Sequence, residues 1–221
     1  TKVEFEDMKI NNFLNKTRAF VKIQDGCNNF CSYCIIPYMR GILRSKNIDV
    51  AYEEIKSLVM AGYQEIVLTG IHTGSYGTGE DYDIVDLIRR ISTLEKLKRI
   101  RISSIEITEL NDKFLAELKI NPKICNHLHV PIQSGSDRIL KLMNRKYTIA
   151  EFIDKINKIR TIRPDMNFTT DLIVGFPTET DADFEETIKN LNLIKFSKIH
   201  TFPYSIRNNT PAATMKQVND S

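Results

Sequence analysis

The chain of 221 residues is 42% hydrophobic and 27% charged, which is enough apolar material for one sizeable core. No stretch approaches the roughly 20 apolar residues of a membrane span, and residues 1–15 are too polar for a signal peptide, so no membrane partner is expected. A net charge of +3, from Lys+Arg 31 against Asp+Glu 28, neither demands nor excludes nucleic acid.

Residues 20–24 read as a first strand, followed directly by a cysteine-rich loop. A helix is expected to open near Asp49, where Glu53 and Glu54 suit the positive N-terminal end. Its core face is Ile55, Leu58 and Val59, and Gly62 is a natural stop. Residues 65–69 form a buried-type strand, and a glycine-rich loop runs on to Gly79. Ile84, Leu87, Ile88 and Ile91 mark the next helix. Residues 99–103 alternate apolar and polar as a strand does, and 111–119 form a short helix. A fourth strand spans 127–132. Thr148 and Glu151 make a capping box for a helix with Phe152, Ile153, Ile156 and Ile159 inside. The fifth strand is 167–174. Thr180 caps a helix whose expected inner face is Phe184, Ile188, Leu191 and Ile194. The sixth strand is 198–204. Strands alternating with helices predict an α/β fold of parallel βα units. Six units are too few for the eight-stranded barrel, so the expectation is an open, partial (βα)6 TIM-like barrel. Its chemistry should sit at the C-terminal strand ends.

Three of the four cysteines, Cys27, Cys31 and Cys34, lie within eight residues. That crowding does not suit a secreted disulfide framework; it suits a metal site in a reducing cytoplasm. Three thiolates on one loop can hold three irons of a cubane [4Fe–4S] cluster and leave the fourth open for a ligand. The alternative on spacing alone is zinc, with His72, His127 or His129 as fourth ligand. Cys125, beside Ile124, reads as a small core residue. The histidines, His200 included, read as structural. Lys96, Lys98, Arg99 and Arg101 read as a solvated basic face. Arg40, Arg44 and Lys46 follow the cysteine loop and could face RNA phosphate.

The loop, with the aromatic Tyr33 before its last cysteine, is similar to the signature of the radical S-adenosylmethionine (SAM) superfamily. The longer string from Ile23-Gln24-Asp25-Gly26 through Cys34-Ile35-Ile36-Pro37-Tyr38-Met39-Arg40-Gly41 to Arg44-Ser45 resembles the methylthiotransferases. Leu68-Thr69-Gly70-Ile71-His72-Thr73-Gly74-Ser75-Tyr76-Gly77 resembles the branch acting on threonylcarbamoyladenosine in tRNA. Relatives acting on isopentenyladenosine usually read Gly-Gln-Asn there. The resemblance runs from about Arg18 to Met215.

It implies a radical SAM core at residues 18–215, with an N-terminal linker or extension at 1–17. It implies that residues 216–221 begin a linker toward a C-terminal RNA-binding domain. SAM would bind the open iron. Gln133 and Arg145 would contact its methionine part, and Glu106 and Asp171 its amine or ribose hydroxyls. Tyr33, Gly70 and Gly175 would also lie against the cofactor. Thr178 stands where the family more often has glycine. Arg40 and Arg44 are the candidate RNA contacts. The implied reaction is reductive cleavage of SAM to a 5′-deoxyadenosyl radical, then methylthiolation of carbon 2 of the modified adenosine. The implied partners are tRNA, SAM and a reductase or flavodoxin-type electron donor. The family's second cluster needs another cysteine triplet, so this chain is expected to be the central domain only. Two other readings stay open: a methylthiotransferase of a ribosomal protein or another modified adenosine, and a non-catalytic zinc-binding RNA module.

Overall fold

The computed structural model describes residues 5–6 and 17–218. Its elements in chain order are β1 (Ala19–Lys22), β2 (Gln24–Asp25), α1 (Ile36–Arg40), β3 (Arg44–Ser45), α2 (Ile48–Met60), β4 (Glu65–Thr69), α3 (Ile84–Ser92), β5 (Arg99–Ile102), α4 (Asp112–Ile120), β6 (His127–His129), α5 (Asp137–Leu142), α6 (Ile149–Ile162), β7 (Asn167–Val174), α7 (Asp181–Ile194) and β8 (Lys198–Pro203). Residues 1–17 and 216–221, expected to be flanking linkers, lie mostly outside the described residues.

Two parallel triplets, β1-β4-β5 and β6-β7-β8, form the wall. A seam joins them. Ile100 N–H donates to Lys123 O at 2.7 Å, Cys125 N–H to Ile100 O at 3.0 Å, and Ile105 N–H to His129 O at 3.0 Å. The wall therefore runs β1-β4-β5-β6-β7-β8, and it is the expected partial barrel of six parallel strands. Ile66, Val67 and Leu68 of β4 are buried in succession, as a strand covered on both faces requires. Leu58 and Val59 of α2 and Leu87, Ile88 and Ile91 of α3 pack into the same core.

Three features escape the periodicity reading because they are short. Strands β2 and β3 pair antiparallel and pinch the base of the cysteine loop. Gly26 makes the pinch possible: it has φ +72°, and a Cβ there would fall 2.1 Å from Ile42 O. Helices α1 and α5 are also unforeseen.

Helix α7 differs from expectation. Thr180 does cap it, but Asp183, Thr187, Leu191 and Ile194 face inward, while Phe184 and Ile188 are exposed. The cause is a close backbone approach. A Cβ at Gly135 would meet Thr187 Cα at 2.6 Å, and Gly135 N–H donates to Thr187 Oγ1 at 3.1 Å. A polar stripe of α7 is needed there to satisfy the 134–136 turn.

Candidate functional site

Most of the expected site residues lie just beyond the C-terminal ends of parallel strands, while Asp171 lies within β7 and Arg145 follows α5. The cysteine loop follows β1 through the β2–β3 pinch, His72 follows β4, Glu106 follows β5, Gln133 follows β6 and Gly175 follows β7.

The cysteine loop is held from two sides. Ser32 N–H donates to Met143 O at 3.0 Å, and its Oγ donates to Leu142 O at 2.7 Å, both at the end of α5. Phe30 sits at φ +48°, and Asn144 Nδ2 donates to its carbonyl at 2.9 Å. Asn29 N–H donates to Cys27 Sγ at 3.4 Å, and Arg145 Nη1 donates to Cys31 Sγ at 3.5 Å. Burial, then the neighbouring Cys31 and Cys27, push the Cys34 thiol pKa up. All four cysteines are free, and buried Cys125 lies at the opposite, N-terminal end of the strands.

Among the described residues no three His, Cys, Asp or Glu side chains are grouped as the ligands of one metal ion. Four donors around one zinc ion stand only roughly 4 Å apart, given its ~2.3 Å bonds to sulfur. In a cubane, by contrast, each iron takes one thiolate, so three thiolates on one loop serve three irons. The histidines weighed for zinc have other partners. His127 and His129 share Thr169 Oγ1, at 3.1 and 2.9 Å, and His129 Nε2 is 3.2 Å from Asp171 Oδ2.

Arg145 links the thiols to the rest of the site. Its guanidinium is almost fully buried and pairs with Glu106. Its Nε donates to Tyr147 Oη at 3.2 Å, and Tyr147 in turn donates to Ile132 O at 2.8 Å. Burial raises the Glu106 pKa against the opposing field of Arg145. Burial also disfavours charge on Arg145, but Tyr147, Glu106 and Tyr33 outweigh it and hold the guanidinium cationic. A paired carboxylate and guanidinium offer an acceptor for an ammonium and a donor fork for a carboxylate, the two ends of an α-amino acid.

Gln133 and Asp171 lie together a little further along the strand ends. With Tyr33, Phe202 and Tyr204 they line a cavity of ≈ 370 Å³. Gln133 holds φ +64°, bridged to β7 through its N–H to Asp171 O at 2.9 Å. Gly70 is crowded by protein: a Cβ would sit 2.8 Å from Gln24 Oε1. Gly175 has φ +70° with open space around its Cβ position.

The basic residues behind the loop divide. Arg40 is exposed at the end of α1. Arg44 instead binds Asp25 Oδ2 at 3.1 Å and Arg40 O at 2.7 Å. Lys46, expected to be free for phosphate, is buried and paired with Glu54, because the chain dives back under β1 at Lys46 N–H to Ile23 O, 2.8 Å. Arg99 and Arg101 are not merely solvated: they hold buried Glu65 at 2.6 and 2.9 Å.

Sequence reasoning missed a further group. Glu109 accepts from His72 Nε2 at 2.8 Å, from Ser75 Oγ at 2.6 Å and from Glu106 N–H at 3.0 Å. His72 Nδ1 faces Ser75 Oγ at 3.0 Å and Cys27 Sγ at 3.9 Å. Burial works against a charged His72, but hydrogen bonds to Cys27 and Glu109 outweigh it and push its pKa up to about 10. The only sequence signal for Glu109 is its place three residues after Glu106, as the far member of a cap.

Residues 21–191 match the radical SAM superfamily. The chain is 50% identical over 214 residues to threonylcarbamoyladenosine tRNA methylthiotransferase MtaB of Bacillus subtilis, covering 96% of this chain and 48% of that one. It is 44% identical to tRNA-2-methylthio-N(6)-dimethylallyladenosine synthase of Acetivibrio thermocellus, covering 90% and 42%. Among solved structures, the radical SAM methyltransferase TsrM of Kitasatospora setae, with cobalamin and a [4Fe-4S] cluster bound, superposes with a TM-score of 0.72 at 15% identity, covering 88% and 38%. The chain spans about half the length of the curated relatives it matches.

Proposed function

Because this chain belongs to the radical SAM superfamily, we propose that residues 18–215 are the radical SAM core of a tRNA methylthiotransferase acting on threonylcarbamoyladenosine. The observation that carries the reading is Arg145, which touches Cys31 and Glu106 at once and so ties the thiol loop to an amino-acid-binding pair. Cys27, Cys31 and Cys34 hold the [4Fe–4S] cluster, whose chemistry is one-electron reductive cleavage of SAM. Arg145 and Glu106 take the carboxylate and ammonium of the SAM methionine. Asp171 accepts from ribose hydroxyls, Gln133 and Tyr33 line that cavity, and Gly175 leaves its rim open. Gly70 acts indirectly, by leaving room for Gln24, whose Oε1 accepts from His72 N–H at 2.6 Å. Arg40 meets RNA phosphate. The greater identity to MtaB, together with the 68–77 loop, favours the threonylcarbamoyl substrate over the dimethylallyl one. A cytoplasmic setting and a flavodoxin-type donor belong to the same reading; no helix among the described residues is long and apolar enough to cross a membrane.

The test is anaerobic reconstitution of the chain followed by reduction with dithionite and SAM. The expected result is about four irons per chain, with methionine and 5′-deoxyadenosine as products. Zinc in place of iron, or iron-loaded chain that leaves SAM intact, would overturn it. Assaying the full-length protein on threonylcarbamoylated tRNA, isopentenylated tRNA and ribosomal protein decides the substrate.

A further inference from the structure

His72 enters no step of that reading, yet it is built into the site more elaborately than a packing residue needs. Its side chain is 10% exposed. Its backbone N–H is fixed by the buried side chain of Gln24 at 2.6 Å. Its Nε2 is held by Glu109 at 2.8 Å. Glu109 is in turn enclosed: a Cβ at Gly74 would fall 2.1 Å from its Oε2. The chain at 70–75 is thus wrapped around one carboxylate, and that carboxylate orients one imidazole.

Proton accounting then gives the ring a direction. The Ser75 hydroxyl has a single hydrogen, and Glu109 Oε1 at 2.6 Å is the acceptor it faces. Ser75 Oγ therefore meets His72 Nδ1, at 3.0 Å, as an acceptor, and the hydrogen between them belongs to Nδ1. The same N–H faces Cys27 Sγ at 3.9 Å, and a thiolate bound to iron has no hydrogen of its own to offer.

We propose that His72 is a positioning residue for the cluster, donating an N–H···S hydrogen bond from Nδ1 to the Cys27 thiolate and so raising the cluster's reduction potential, with Glu109 and Ser75 fixing the ring. This rests on the three cysteines holding a [4Fe–4S] cluster. Hydrogen bonds to the sulfurs are among the factors that set such potentials, because a donor stabilises the more electron-rich, reduced state. The effect eases reduction by an external donor without touching SAM.

The experiment compares the anaerobically reconstituted wild-type chain with His72→Phe, which removes both nitrogens, and His72→Asn, whose Nδ2 keeps a donor at similar reach. Iron and sulfide are counted first, so a wild-type chain without iron defeats the cluster reading rather than this one. Midpoint potentials then come from EPR-monitored redox titration. The expected result is a lower potential and altered reduced-state g-values in His72→Phe, with both restored toward wild type in His72→Asn. A fully loaded His72→Phe at the wild-type potential would overturn the proposal. A measurement on wild type alone guards against a variant that fails to fold. In chain labelled with ring-15N histidine, the reduced cluster should show a weak nitrogen hyperfine coupling, and its absence would equally overturn the proposal.

Discussion

Arg145 and Lys46 show what a charged residue's letter conceals. Both are buried cations, with side chains 4% and 1% exposed, and each is paired with a carboxylate. Lys46 lies near the cysteines in sequence and Arg145 does not; the resemblance names Arg145 as a cofactor contact, and neither residue's burial can be read from the sequence. Burial and partner are decided by contacts between distant positions, as with Arg145 and Glu106 across 39 residues. The three thiols were legible because their spacing is local; the resemblance named Arg145 and Glu106 singly, but not that they pair. If Arg145 receives the SAM carboxylate, Arg145→Gln should keep the iron and weaken SAM binding by about 1.5–3 kcal/mol. Calorimetric titration of reconstituted chain checks this, and an unchanged affinity would remove Arg145 from the site. Lys46 should answer differently. Glu54→Gln removes the carboxylate paired with a buried ammonium and should lower stability in urea unfolding by roughly 1–3 kcal/mol. The paired change Lys46→Met with Glu54→Leu should recover most of that.

At the scale of elements, helices with caps and clear apolar stripes were readable, and those shaped by a tertiary approach were not. Helix α6 starts at Thr148 with its capping box, as its sequence says. Helix α7 has an equally good cap, yet its orientation is set by Gly135 pressing on Thr187 and by Asp183 reaching inward. Asp183 accepts from Arg138 at 2.5 Å, from Ser136 Oγ at 3.0 Å and from its own cap residue Thr180. These bonds, Arg138 first, hold its carboxyl well below the usual carboxylate range. A depressed carboxylate contributes stability in full above its unfolded pKa of about 3.9, and the contribution fades as pH falls toward the folded value. The melting-temperature advantage of wild type over Asp183→Asn should therefore be full at pH 7 and shrink steadily below about pH 4. A gap constant from pH 7 to pH 3 would place the stabilisation elsewhere. Thr178, just before this helix, sits at φ +68°, a conformation costly for a β-branched residue and free for the glycine more usual there. Thr178→Gly should be neutral to stabilising, by at most roughly 1 kcal/mol, since relief of strain outweighs glycine's entropy.

For the whole molecule, the strand order was recoverable because alternating βα units admit few arrangements, and strand-end placement then gathers residues scattered from 27 to 175 on one face. The proposed RNA surface is less legible, since it depends on which cations remain free. Residues 26–43, which span the cysteine loop and α1, contain no Asp or Glu, and their one charge is Arg40. Arg40 is exposed, with Phe30 and Tyr38 also exposed nearby and their rings 5.8 Å apart edge to face. Arg44 is spent on Asp25 within the fold. The two arginines, similar by sequence, should therefore separate by experiment. At a net charge of +3 the chain should bind an anticodon stem-loop weakly, near the ~10⁻⁴–10⁻⁶ M of non-specific contacts at physiological salt. Arg40→Ala should weaken that binding further and lower the salt slope by about one, with thermal stability unchanged. Arg44→Ala should instead lower the melting temperature, because it leaves buried Asp25 with Lys22 as its remaining cation at 2.8 Å, and any effect on RNA should track the loss of fold. Fluorescence anisotropy across a salt series, run beside melting curves, separates the two. A salt slope untouched by Arg40→Ala would move the RNA away from the cysteine loop.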